Sequence, residues 1–461
     1  MKRLLFSASL AFGLLLTPAF PLTAAERPKP RPSQLQRIRE GLELYGIVHW
    51  GPNTYTDREW GFGDEDPKIV NPTKFDADQI VGACKAGGLQ GLIVVAKHHD
   101  GFCLWPTKTT EHNITKSPFR DGKGDYVREM ERACRRAGIR FGVYISPWDR
   151  NNAAYATPAY VETFHAQIRE LLGGDYGEVF EMWFDGANGG DGYYGGKNEP
   201  RKIGNDYYRF DALFAEVRRM QPSANLFNED DRADCRWPGN EMGVLHPDSR
   251  ATMRSFDYDK EKYLTYCNTG DIDGVVFHPC ESDFPLRPGW FYHPAEDGKA
   301  RSGIYLLQRY LETCGNGATM NIGVAPTPEG VLCAEDVKSL ADFGKLKDRF
   351  FANRVTAGPC NVVVMREDVS EGEKVDAWTL SRGDEKLASG KSIGIKRIRI
   401  LDKPVPAGEI RLAADGEHKP ALLPMEFYSV DPDFVKAIRE STTSSGETGT
   451  ARWMTVGGEV K

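Results

Sequence analysis

With 461 residues, 40% of them hydrophobic and 27% charged, the chain has enough apolar material for a full-sized core and more than one domain, the profile of a globular, enzyme-sized protein. A formal net charge of −7, with Lys and Arg spread rather than clustered, leaves no basic field for a phosphate backbone and argues against nucleic acid as a partner.

Residues 1–25 carry Lys2 and Arg3, an apolar run from Leu4 to Phe20 and small residues around Thr23-Ala24-Ala25, the layout of a cleavable secretory signal. A membrane anchor is the alternative reading, but the run is short for spanning and is broken by Pro18 and Pro21. No later stretch is apolar enough to cross a bilayer, so the mature chain is expected in the periplasm or outside the cell, with no membrane partner once the signal is removed.

After a Pro-rich leader (Arg27 to Pro32), short apolar runs alternate with helical periodicity. Strands are predicted at 45–50, 91–97, 140–146, 178–185, 224–228, 274–278 and 318–322, and helices at 76–86, 126–137, 158–172, 207–220 and 302–314. This α/β alternation over residues 26–352 fits a (β/α)8-like TIM barrel better than an open sheet, and no glycine-rich dinucleotide fingerprint follows the first strand. From about Asn353 the pattern turns to alternation (360–365, 375–381, 393–401, 409–412), predicting a small all-β, sandwich-like domain over 353–440; a loosely attached Ser/Thr/Gly-rich tail follows over 441–461. Nine cysteines would suggest disulfides in an exported chain, yet the number is odd, and Cys84, Cys134 and Cys314 fall in helix-like segments where a cysteine acts as a small hydrophobe.

Barrel chemistry belongs at the carboxyl-terminal ends of strands. Polar residues gather there: His49-Trp50 after the first strand, Lys97-His98-His99-Asp100 after the second, Tyr144 to Trp148 at the third and Trp183-Phe184-Asp185 at the fourth. Trp183 and Asp185 are two apart, so they face one side of a strand and set an aromatic wall beside a carboxylate, as sugar sites commonly need; the bland alternative is that Asp185 only caps the next loop. His98 and His99 can both reach one site only if the chain turns, which Gly101 permits. They could recognise hydroxyls, hold a metal together with Asp100, or serve structure alone.

Taken in order, His49-Trp50-Gly51, Glu59-Trp60, the Lys97 to Phe102 run with Trp105, the Tyr144 strand and Trp183 to Gly186 resemble the family 29 α-L-fucosidases over roughly residues 40 to 350. The resemblance implies that Asp185 is the nucleophile and that His49, Glu59, Trp60, His98, His99, Tyr144 and Trp183 contact fucose. Arg236-Trp237-Pro238-Gly239-Asn240-Glu241 and the later run Leu286 to His293 resemble the branch that cleaves α-1,3- and α-1,4-linked fucose from Lewis-type glycans. That points to Glu241 as acid/base, with Glu229 and Glu281 as rivals and a solvated loop glutamate as the plain alternative; Trp290 would cover the sugar's apolar face.

The implied activity is retaining hydrolysis of a fucosylated oligosaccharide or glycoprotein glycan with no cofactor, through two carboxyls about 5 Å apart. The alternatives are an α-L-fucosidase of broader, α-1,2-including linkage range, a metal-dependent barrel hydrolase and a non-catalytic glycan-binding protein.

Overall fold

The structure is a computed structural model that describes residues 26–228, 232–254 and 266–441. The leader (1–25), Glu229 and most of the 441–461 tail therefore lie outside the described residues; Ser441 is described, and its hydroxyl donates to Gln308 (2.8 Å).

Seven parallel strands form the central sheet: β1 (Leu44–Val48), β2 (Gly91–Lys97), β3 (Arg140–Ile145), β4 (Glu181–Phe184), β5 (Asn225–Phe227), β6 (Glu281–Pro285) and β7 (Thr319–Val324). Their order is β6-β7-β1-β2-β3-β4-β5. Between the two edges, Cys235 makes a parallel bridge to Phe227 and Arg236 makes one to Cys280. The 235–236 segment thus occupies an eighth position and joins the edges, the arrangement of a (β/α)8-like barrel. The fully buried Arg236 guanidinium fixes this segment by donating to the Cys267 carbonyl (2.9 Å), the Arg250 carbonyl (2.8 Å) and the His278 carbonyl.

Period-two alternation separates two cores. Tyr45, Ile47, Ile93, Val95, Tyr144, Trp183 and Phe227 fill the barrel interior, while Leu44, Val48, Leu92, Val94, Val143, Met182 and Leu226 meet the surrounding helices. Those helices include Ala77–Ala86, Tyr126–Ala137, Pro158–Leu172, Phe210–Met220 and Gly303–Thr313. Asp76 and Asp125 cap the first two by accepting from Gln79 N (3.0 Å) and Arg128 N (2.8 Å), each cap contributing about 1 kcal/mol.

The predicted strand at 274–278 is corrected. Val276–Phe277 pairs antiparallel with Thr252–Met253 outside the barrel, and the barrel strand is instead the polar stretch Glu-Ser-Asp-Phe-Pro at 281–285. Its Glu281 faces the barrel interior, where Tyr45, Trp183 and Asn321 replace apolar packing, and Asp283 lines a cavity, so the hydrophobic pattern used to find strands misses it.

The C-terminal part holds one four-stranded and one three-stranded antiparallel sheet, and a single apolar cluster draws on both, including Val363, Met365, Trp378, Leu380, Leu401 and Ile410. Elements there that were not anticipated include the short strands Arg354–Val355 and Glu426–Tyr428, the strand Glu385–Gly390 and the helix Pro432–Arg439, whose Phe434, Val435 and Ile438 join the barrel's outer core. All nine cysteines are free thiols, and Cys84, Cys134 and Cys314 are buried among apolar neighbours. Among the described residues no helix is long and apolar enough to cross a membrane.

Lys97 ends β2 fully buried, its ammonium donating to Tyr160 Oη (3.0 Å), Gln167 Oε1 (3.0 Å) and Asp149 Oδ2 (3.3 Å). Lys97→Ala would leave Asp149 buried without its counter-charge. A loss of roughly 3–5 kcal/mol is expected in urea unfolding; a loss below about 1 kcal/mol would show that this network does not anchor the strand end.

Candidate active site

A cavity of about 210 Å³ opens where the strands end, and residues from six different strand ends or following loops converge on it. His49 follows β1, His98 and His99 follow β2, Tyr144 lies on β3, and Trp183 and Asp185 come from β4. Glu241 and Trp237 follow the bridging segment, while Asp283 and Trp290 come from β6 and the loop after it. A larger cavity of about 440 Å³ lies against the helix Pro32–Glu40 and the C-terminal sheets. Several of its charges are matched within the protein, as in Lys396–Glu43 (2.6 Å) and Arg366–Glu426 (2.9 Å), whereas the residues singled out at the strand ends converge on the smaller cavity.

Asp185 is held as an acceptor from two sides. The Tyr144 hydroxyl donates to Oδ2 (2.8 Å) and the Ala187 backbone N–H to Oδ1 (2.7 Å). The Ala187 contact is the capping interaction of the plain sequence alternative, and it coexists with exposure of the carboxylate to the cavity. Burial and the neighbouring Asp185 charge push the Tyr144 phenol well above its ordinary range, so it stays a donor. Trp183 stacks between Tyr144 (5.2 Å, 23°) and Phe227 (3.9 Å, 6°), and its indole N–H donates to Glu281 Oε1 (3.0 Å).

The turn after β2 brings both histidines to one site. Gly101, at φ +78, closes it; a Cβ there would stand 2.2 Å from Asp149 Oδ1, so only glycine fits. Ser146 donates its one proton to the Trp148 carbonyl (2.9 Å) and therefore accepts from His99 Nδ1 (2.7 Å), leaving the His99 Nε2 lone pair free to accept. His98 Nδ1 accepts from Asn53 Nδ2 (3.4 Å), which makes its Nε2–H a donor. The adjacent rings, with centroids 4.1 Å apart, thus offer one donor and one acceptor. Burial lowers the pKa of all three imidazoles: His98 falls well below the ordinary range, His99 falls despite the opposing pull of Asp185, and His49 drops to about 3. Neutral imidazoles suit hydroxyls better than anions.

Glu241 stands at the cavity rim, exposed as a residue, while its carboxyl accepts from the Trp290 indole (3.2 Å). Partial burial raises its pKa, assisted by the charges of Asp185 and Glu59 and opposed by the indole hydrogen bond. Asp283 is the residue that sequence reasoning missed. It is buried, lines the cavity and leaves Oδ1 without a partner, and burial followed by the charge of Glu241 lifts its carboxyl well above the usual range. The signal was its spacing of two from Glu281, visible only once 281–285 is known to be a strand. Phe227 and Ile47 also line the cavity unanticipated.

Two residues fall outside the cavity wall. Glu59 accepts instead from the backbone N–H groups of Trp290 (3.0 Å) and Phe291 (3.1 Å), so it holds the loop after β6. Glu281 is fully buried in the barrel, engaged by Trp183, Asn321 Nδ2 (3.1 Å) and Tyr45. Trp60 is exposed at the rim, edge-on to His99 (5.0 Å, 80°).

Asp100 does not join the histidines as a ligand. Its Oδ1 accepts from Phe102 N (2.7 Å), and burial with the nearby Glu65 charge raises its pKa to about 8. Among the described residues, the groups with metal-ligand spacing are Glu181/Cys235/Glu281 and Cys333/Glu335/Asp336, neither of which lies in this cavity wall.

The alpha-L-fucosidase family profile matches residues 39–349. Alpha-L-fucosidase 1 of Arabidopsis thaliana is 36% identical over 334 residues, covering 71% of this chain and 62% of that protein, so the chain spans less than two thirds of this curated relative. A crystal structure of a glycoside hydrolase family 29 member from an unknown rumen bacterium superposes with a TM-score of 0.81 at 33% identity, covering 93% of this chain and 80% of that one. A Ruminococcus gnavus family 29 fucosidase in complex with fucose has a TM-score of 0.75 at 23% identity, covering 89% and 97%, a likeness of fold.

The low His49 pKa has a defined sign. An unfolded chain takes up a proton at this histidine as pH falls through about 6.5, while the folded chain does not until about 3. The stabilisation from keeping the ring neutral is therefore complete above 6.5 and declines below it, by roughly 2 kcal/mol at pH 5. Ring-nitrogen NMR should show His49 neutral at pH 5; a protonated ring there would contradict the burial argument.

Proposed function

The chain belongs to the alpha-L-fucosidase family of glycoside hydrolases, and from that premise we propose that it hydrolyses α-L-fucosides with retention, using Asp185 as nucleophile and Glu241 as acid/base. The observation that carries this reading is the placement of two unlike carboxyls on one cavity. Asp185 is oriented by two donors, and Glu241 stands at the rim with its proton affinity raised.

In the first half-reaction the Asp185 carboxylate attacks the anomeric carbon while Glu241 gives its proton to the departing oxygen; in the second, Glu241 takes a proton from water as it displaces the aspartyl ester. The neutral His98 and His99, one a donor and one an acceptor, and the His49 ring hold the sugar hydroxyls. Trp183, Trp290 and Phe227 cover its apolar face and methyl group. The oxygen lost by the sugar goes to the glycan and the oxygen gained comes from water, so no redox partner is required. The reaction as drawn needs no metal.

We extend the proposal to branched Lewis-type glycans with α-1,3 or α-1,4 fucose, on the Arg236 to Glu241 and Leu286 to His293 motifs, whose Trp237 and Trp290 flank the rim. We also propose that residues 1–25 export the chain. Residues 26–352 would form the catalytic unit and 353–440 a β-sandwich that braces it, the buried Arg250 tying the two through the carbonyls of Val375 (3.0 Å) and Lys391 (2.7 Å).

Product analysis on a Lewis-type trisaccharide and on 2'-fucosyllactose tests the substrate. Fucose released mainly from the branched sugar is expected; release mainly from 2'-fucosyllactose would reject the linkage assignment, and none from either would reject the activity. Glu241→Gln should lower kcat/KM by about a hundredfold or more for poor leaving groups and far less for 4-nitrophenyl fucoside, because only a poor leaving group needs the proton. Equal losses on both would return the acid/base role to Glu229.

A further inference from the structure

His293 closes the motif that begins at Leu286, and both its ring nitrogens meet carboxylates. Nδ1 lies 2.6 Å from Asp57 Oδ1 and Nε2 lies 2.6 Å from Glu59 Oε1. An ionised carboxylate only accepts, so a ring held between two of them must donate from both nitrogens and is an imidazolium. Asp57 and Glu59 belong to the loop after β1, whereas His293 belongs to the loop after β6. The pair of contacts therefore latches two loops that are neighbours only in space.

The latch continues to the rim of the cavity. Glu59, fixed by His293, accepts from the Trp290 and Phe291 N–H groups, and the Trp290 indole N–H reaches Glu241 Oε2 at 3.2 Å. The Phe291 ring packs edge-on against His49 (5.3 Å) and His98 (5.0 Å), so the same loop is seated on the sugar-facing imidazoles. Glu241 is the exposed residue of a turn held by Asn240, whose Oδ1 accepts from the Met242 N–H (3.1 Å) and whose Nδ2 reaches the Val244 and Pro238 carbonyls at 3.4 and 3.5 Å. Those contacts fix the backbone of the turn, and the Trp290 indole is what engages the Glu241 carboxyl itself.

We propose that His293, clamped between Asp57 and Glu59, is a positioning residue for proton delivery by Glu241, acting through the Trp290 indole. Glu59 serves the same latch. The proposal rests on the reading of Glu241 as the acid/base. It concerns the loop that aims this carboxyl rather than any contact of His293 with the substrate.

The test compares kcat/KM for two fucosides of similar shape and different leaving ability, 4-nitrophenyl and phenyl α-L-fucoside, in the full chain and in His293→Ala, Glu59→Gln, His293→Lys and Glu241→Gln. His293→Ala and Glu59→Gln should lose about tenfold or more on the phenyl fucoside and less than about threefold on the nitrophenyl one, a weaker copy of the Glu241→Gln pattern. His293→Lys, which keeps a cation between the carboxylates, should recover part of the phenyl activity. Equal losses on both fucosides, or no loss on either, would overturn the proposal, because a merely structural role gives no dependence on the leaving group. Should His293→Ala fail to fold, Glu59→Gln decides alone by the same ratio. If the parent chain cleaves both fucosides but Glu241→Gln shows no leaving-group dependence, the acid/base reading fails and this proposal with it; if Glu241→Gln shows it and the latch variants do not, only the latch fails.

Discussion

A ring of parallel strands delivers every strand's carboxyl-terminal end to one rim, and the whole site depends on that ring being joined between β5 and β6. Neither edge has a regular strand to offer there. The junction is made by two bridging residues, Cys235 and Arg236, and by a buried guanidinium whose donors are taken up by surrounding carbonyls. Immediately beyond them the chain reaches Trp237 and Glu241, so the joint that completes the barrel also sets the second carboxyl on the cavity shared with Asp185.

The electrostatics follow from crowding acids in a place that water reaches poorly. Asp185, Glu241 and Asp283 share one cavity while Glu281 and Glu181 lie in the barrel interior, yet the nearest imidazoles are neutral. Two devices keep this tolerable. Arg37 enters the interior from the N-terminal helix and pairs with Glu181 and Glu281, and burial raises the proton affinity of the Asp283 carboxyl. Asp185 has donors on both of its oxygens, which fix the orientation of its carboxyl, whereas Glu241 meets one indole and two like charges. The two acids thus differ in their partners, which is what the proposed division of roles rests on.

Much of this was legible in the sequence because the physics was local. The strands at 91–97 and 140–145 and the helices at 126–137 and 158–172 announce themselves by their apolar runs and periodicity, and the rule that chemistry sits at strand ends led to His98, His99 and Asp185. What stayed hidden was non-local. β6 reads as a polar loop because its Glu281 finds partners on β1, β4 and β7 that the local sequence does not reveal, and Asp283 was lost with it. Glu59 pointed to a sugar contact, yet its carboxylate holds a loop more than two hundred residues away, a pairing no local pattern can announce.

In the proposed reaction Asp185 attacks the sugar carbon and becomes covalently attached to it. The most direct measurement is to incubate the chain with a 2-deoxy-2-fluoro fucosyl fluoride, which slows breakdown of the ester, and to map the modified peptide by mass spectrometry. One fucosyl adduct, on the Asp185 side chain, is the expected result of this mechanism. An adduct on Glu241 or Asp283, or turnover with inversion and no adduct, would contradict it.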